Sequence, residues 1–236
     1  MLGNNGVSTR ADERLLRALA QQLKMPLLQI ARQSELAQSA DLPDAHKSVQ
    51  YTADMALRLV DSYLLSIETG QAPVLALEPV SVSATLQETA HLLSPLARQY
   101  NCDLEVHVSG RYQPVMAHRA SLESALHMLA QIFVESTPEQ SVRHHVILGA
   151  HKTGQGLVTG IFGNQEGLHS DALRRGRALS GTAEQAIPGL SAAAGAGVFV
   201  ADALLASMNS PLHISRHNKL AGLAATLVPS RQLQLV

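Results

Sequence analysis

The chain has 236 residues, 46% hydrophobic and 16% charged, with a formal net charge of −1. This balance excludes a disordered chain and leaves room for one large domain or two modest ones. Aromatic residues make up 3% and tryptophan is absent, which argues against nucleic-acid binding through stacked bases, as does the lack of a basic excess. Cys102 is the one cysteine, so no disulfide framework or thiolate metal cluster is available, which fits a reducing cytoplasm. The first residues, MLGNNGVSTRADE, lack the apolar segment of a signal peptide. The most apolar long stretch, Gly189 to Met208, is built of small residues and contains Asp202. A central Asp costs about 2.5–3.5 kcal/mol in a membrane span, so a buried helix is expected there.

In chain order, Thr9 to Ala40 reads as a long helix with Leu16, Leu23 and Ile30 seven residues apart and Ala20 and Leu27 between them. Asp41-Leu42-Pro43-Asp44 breaks it, and a second helix follows from Ala45 to Glu68. There Ala53, Val60 and Ile67 repeat at sevens, interleaved with Leu57 and Leu64. Two such helices make an antiparallel hairpin whose apolar seam asks for a second copy, giving a dimeric four-helix bundle. The alternative is a seam packed on its own chain.

Gly70-Gln71-Ala72-Pro73 is the expected linker, dividing residues 1–70 from residues 74–236. Beyond it, a helix is expected over Leu86 to Tyr100 and a half-buried strand over Asp103 to Ser109. A helix over Leu122 to Glu135 precedes two strands, Val146 to His151 and Leu157 to Phe162, around a Gly-rich turn. A helix over Ala194 to Met208 and strands over Leu212 to Ser215 and Leu220 to Val228 close the chain. The fold class expected is α+β: a helical hairpin followed by a two-layer α/β sandwich.

The stretch QQLKMPL, Gln21 to Leu27, resembles the phosphoacceptor box of sensor histidine kinases, which in many members reads HQLKTPL. Gln22, Leu23, Lys24, Pro26 and Leu27 match, while Gln21 stands at the histidine and Met25 at the threonine. A carboxamide nitrogen has its lone pair delocalised into the carbonyl and cannot attack phosphorus as a neutral imidazole does. The later elements resemble the ATPase domain of the same family, shared with gyrase and the Hsp90 chaperones. LHMLAQIFVEST, Leu126 to Thr137, aligns with the family's asparagine box and puts Ile132 at the magnesium-holding asparagine. Magnesium requires oxygen ligands, and isoleucine has none. GNQEGL, Gly163 to Leu168, aligns with DNGPGI; Gly167 is kept, and Gly163 replaces the aspartate that accepts the adenine amino hydrogen bond. GAGVFVA, Gly195 to Ala201, aligns with the second glycine box through Gly195 and Gly197. Arg174, Arg175 and Arg177 fall in the lid between the glycine boxes, where they either meet phosphates or are merely solvated.

The resemblance implies a kinase frame without its nucleophile. No cofactor is expected, because ATP and magnesium binding is weak or lost, and no metal. The expected partners are a second copy through Leu16, Leu23, Leu27, Ile30, Leu57, Val60, Leu64 and Ile67, and a response-regulator receiver domain or a histidine kinase docked around Gln21, Lys24 and Gln29. An enzyme using unorthodox residues, with His46 as a displaced acceptor, is the alternative. A small-molecule sensor using the altered pocket is a third. His144-His145, His213 and His217 lack the cysteines or HxxxH helix of a strong metal motif, and alternation places His213, Ser215 and His217 on a solvent face.

Overall fold

Alternating apolar residues in the second half of the chain build a five-stranded sheet with helices laid on one face. The computed structural model describes residues 23, 24, 26–32, 34, 35, 45–72, 74–136, 143–165, 167–178, 187, 189, 190 and 194–230. Its elements are α1 (the helical residues among 23–35), α2 (Ala45–Gln71), β1 (Glu78–Val80), α3 (Val82–Gln99), β2 (Cys102–Val108), β3 (Val115–Ala117), α4 (Arg119–Glu135), β4 (His144–Thr153), β5 (Gly156–Gly163), α5 (Ser170–Ala178), α6 (Ala194–Ala206), β6 (His213–His217) and β7 (Leu220–Leu227).

The large sheet has the order β2-β4-β5-β7-β6, with β2 parallel to β4 and the other neighbours antiparallel. The parallel pair requires a crossover, which passes through α4. A two-stranded antiparallel sheet, β1-β3, sits apart. Neither of its strands is visible in the sequence pattern, because three residues are too short to show alternation.

Local chemistry sets the ends of the elements. Ser81 Oγ accepts from the Ala84 amide and starts α3 four residues ahead of its apolar pattern, which begins at Leu86. Asn101, at φ 50°, turns the chain out of α3 into β2. The β6–β7 hairpin turns on Asn218 and Lys219, both at positive φ (49° and 69°), as a two-residue turn between twisted strands requires. Gly70 and Gln71, expected in a linker, instead close α2. The expected ends of the first helix and the break at residues 41–44 lie outside the described residues.

One main core lies between the sheet and the helices. Leu122, Leu126 and Leu129 of α4 are fully buried there with Leu148, Ile161, Leu204 and Leu223. Each such side chain contributes about 1.5–3 kcal/mol relative to exposure. Met55, Leu59 and Tyr63 of α2 join the same core, so the second hairpin helix packs directly on α4 and α6. No described helix is long and apolar enough to cross a membrane.

A smaller cluster, Ile147, Val158, Phe162 and Ala224, covers the opposite face of the sheet. Phe162 lies in a trough made by absent side chains: a Cβ at Gly149 would stand 3.0 Å from its ring, and one at Gly222 2.6 Å. His217 packs on this ring with centroids 5.2 Å apart. It is therefore buried, whereas the expected solvent face would have left it exposed.

His127 on α4 faces a small polar cleft shared with Arg58 and Glu123. Neither of its ring nitrogens has a hydrogen-bond partner. Burial first, and then the Arg58 charge, push its pKa down to about 4. Such a base holds its full share of stability above its unfolded pKa near 6.5, and loses it as pH falls through that value toward about 4. The loss reaches ~3 kcal/mol. Glu135, raised by burial, works the opposite way, since protonating it on acidification favours the folded state. The variant His127→Leu isolates the histidine: its melting temperature should fall less than that of the unmodified protein between pH 7 and pH 4.5. Parallel melting curves would assign the acid sensitivity to another group.

Candidate functional site

Three segments converge where the resemblance places a nucleotide: the C-terminal half of α4, the end of β5, and the start of α6. On α4, Ile132 is 3% exposed and Phe133 is fully buried, both within the main core. The position expected to offer an amide oxygen is thus an apolar contact. Neighbouring Gln131 donates to Glu135 Oε1 at 2.8 Å, so its amide is already engaged within the helix. Burial holds the Glu135 carboxyl above the usual range, with the Gln131 hydrogen bond opposing the shift.

At the end of β5, where the resemblance expects a carboxylate, Gly163 is overlaid by a side chain from the same loop. A side chain at Gly163 would run directly into the carboxamide oxygen of Gln165. That oxygen is itself buried and unpartnered. Gln165 therefore fills the volume that an aspartate at position 163 would occupy. Gly167 adopts φ 84°, a left-handed conformation that suits glycine and keeps the loop's turn.

Gly195 and Gly197 lie in the first turn of α6, which starts at Ala194, where the sequence pattern expects it. Gly197 is buried.

The arginines expected in a lid are on α5, an element that the sequence pattern did not reveal. Arg177 donates from Nε to Asp202 Oδ2 and from Nη2 to Oδ1, both at 2.7 Å, and also to the Leu212 carbonyl. Asp202, 8% exposed, accepts further from the Leu212 amide at 2.9 Å. This bidentate pair joins α5 to α6 and to the segment entering β6. Arg174 pairs with Asp171 at 3.0 Å, and Arg175 Nε donates to the Asp171 carbonyl. All three cations are engaged within the chain. An acidic residue inside an apolar run was the one sequence signal for this clamp, since such a group needs a buried partner.

In the hairpin, Leu27, Leu57 and Leu64 are 57%, 62% and 52% exposed, whereas Val60, Ile67 and Ile30 are partly buried. Leu23 packs against the main core. Lys24 is exposed, and the side chain of Gln29 is hydrogen-bonded to Tyr100. Gln21, Gln22, Met25 and Leu16 lie outside the described residues, and so do the contacts of His46. No group of three or more His, Cys, Asp or Glu side chains is gathered for a metal among the described residues.

No family model matches the chain, nor does any curated protein. Solved structures do. Full-length ShkA in complex with AMPPNP superposes with a TM-score of 0.55 at 19% identity, covering 79% of this chain and 38% of that one. Histidine kinase AdeS of Acinetobacter baumannii gives 0.54 at 13% identity, covering 89% and 98%. Histidine kinase ThkA in complex with the response regulator TrrA gives 0.55 at 12% identity, covering 89% and 60%. The chain thus spans well under half the length of ShkA, and at these identities the likeness concerns architecture. Its mixed sheet, crossover helix and helical N-terminal segment make this a chain with the fold of a histidine kinase and its ATPase-type sandwich.

Proposed function

We propose that the chain is a degenerate histidine kinase of a two-component system, acting without catalysis by dimerising and by binding a response regulator or a partner kinase. The observation that carries this reading is the filled nucleotide position, where Ile132 lies in the core and Gln165 covers Gly163. Together with Gln21 in place of the acceptor histidine, this removes the metal ligand, the base contact and the nucleophile of one reaction. A histidine kinase bound to a response regulator, ThkA with TrrA, shares the fold and supports the choice of partner. One observation favours a second reading, a small-molecule sensor: the unpartnered Gln165 oxygen is a buried acceptor with nothing to accept from.

Leu27, Leu57 and Leu64 support the dimer, because they are large apolar side chains left exposed on the hairpin helices. Leu57 and Leu64 are suited to testing it, since neither belongs to the main core. Light scattering at micromolar concentration should give a mass of two chains. Leu57→Glu with Leu64→Glu should give a folded monomer. A monomeric unmodified protein would end the dimer reading.

Calorimetry with Mg-ATP should show no binding, and tight metal-dependent binding would reverse the assignment of the site. Gly163→Asp should be accepted, because only the flexible end of Gln165 must move aside. Ile132→Asn should cost about 2–4 kcal/mol of stability, because it buries an amide among apolar groups.

Incubated with labelled ATP, the chain should not become phosphorylated. Gln21→His should accept phosphate from a phosphorylated receiver domain without gaining ATP-driven labelling. Acid-labile label on the unmodified protein would favour the enzyme reading and point to His46 first.

A further inference from the structure

The open face of the large sheet gathers three imidazoles that play no part in the reading above. His107 comes from β2 and His217 from the end of β6, the two edge strands of the sheet, while His151 comes from β4. The sheet coils until its edges meet over Phe162. Centroids of His151 and His217 are 5.5 Å apart, and those of His107 and His217 are 5.9 Å apart.

Within this group the nitrogens are not equivalent. His107 is satisfied on both sides, with Glu105 Oε2 2.8 Å from Nε2 and Asn218 Nδ2 3.1 Å from Nδ1. His145 Nε2 also approaches Glu105, at 3.3 Å, but too obliquely for a hydrogen bond. The Nδ1 atoms of His151 and His217 instead face each other at 3.4 Å. That is a long contact for one shared hydrogen. Two nitrogens held about 2.0–2.1 Å from one tetrahedral zinc ion lie about 3.3–3.4 Å apart, which matches it.

We propose that His151 Nδ1 and His217 Nδ1 form a binding site for a nitrogen-preferring divalent cation of the zinc class. Both are imidazoles, the ligands such cations favour over harder magnesium. Burial, then the neighbouring His151 and His107, hold His217 toward the neutral form that ligation requires. With two protein ligands, water completes the coordination, so binding is weaker than at a closed four-ligand site. The cation ties β4 to the tip of the β6–β7 hairpin, and it does so independently of the nucleotide position.

Zinc chloride titrated into the full chain, followed by calorimetry and by thermal melting, tests this. We expect one equivalent bound, a raised melting temperature, and no effect of magnesium chloride. His151→Gln should weaken zinc binding by about tenfold or more while leaving the metal-free melting temperature unchanged. His217→Gln should do the same, and its metal-free melting curve separates ligand loss from lost packing on Phe162. His213→Gln, on the same face of β6 but not in the pair, should bind as the unmodified protein does. Absence of zinc binding would overturn the proposal and leave a simple proton-sharing pair. Unchanged binding by His151→Gln, or equal stabilisation by magnesium, would also overturn it.

Discussion

The burial of α4 is the constraint on which the rest of the structure depends. This helix carries the crossover between parallel strands β2 and β4, and it is packed at once by the sheet, α3, α6 and α2. Ten of its seventeen residues are buried, including Leu122, Leu126, Leu129 and Phe133. A helix enclosed on so many sides has little room for polar groups without partners. Ile132 belongs to that enclosed surface. An oxygen-bearing side chain there would need a ligand to satisfy it, and an isoleucine needs none. A core contact therefore stands at the position where the resemblance would place a metal ligand.

The same logic runs through the neighbouring segments. Gln165 occupies the space that opens when position 163 has no side chain, so the end of β5 is filled from within. Arg177, on the segment expected to cover a nucleotide, is turned instead onto Asp202 and the Leu212 carbonyl. Breaking a partly buried pair of this kind by removing one partner is costly, because it strands the other charge. At Ile132 and Arg177 the chain thus meets its own needs where the family resemblance would have a ligand meet them, whereas the Gln165 oxygen is left buried without a partner.

Much of this was legible in the sequence, for reasons that differ by element. α2 and α4 carry helical periodicity, α6 is legible as an apolar run long enough for a buried helix, and the β4–β5 hairpin brackets a Gly-rich turn, with element ends displaced by caps such as Ser81 at α3. β1 and β3 are three residues each, so no alternation marks them. α5 is short and strongly polar, and composition alone made it a surface segment. The expectation at Ile132 and Gly163 comes from alignment to the family boxes. The intrusion of Gln165 could not be read in that way, since it depends on where a flexible side chain goes once its neighbour is glycine. The imidazole cluster was hidden for a topological reason: β2 and β6 are opposite edges of the sheet, and only its coiling brings His107 to His217.

The two faces of the sheet also divide its roles. The helix-covered face is almost wholly aliphatic, as a chain with 3% aromatics requires, and it joins the sheet and the helices in one core. The other face carries Phe162, one of three phenylalanines, and gives it a seat only because Gly149 and Gly222 withdraw their side chains. His217 then covers the ring, and its Nε2 is left without a partner. A polar atom stranded in this way lowers stability, whereas an apolar residue at position 217 would cover Phe162 equally well. Packing therefore accounts for a ring at this position but not for an imidazole. The imidazole has its only hydrogen-bonding contact through Nδ1, to His151, which is where the chemistry of that face is concentrated.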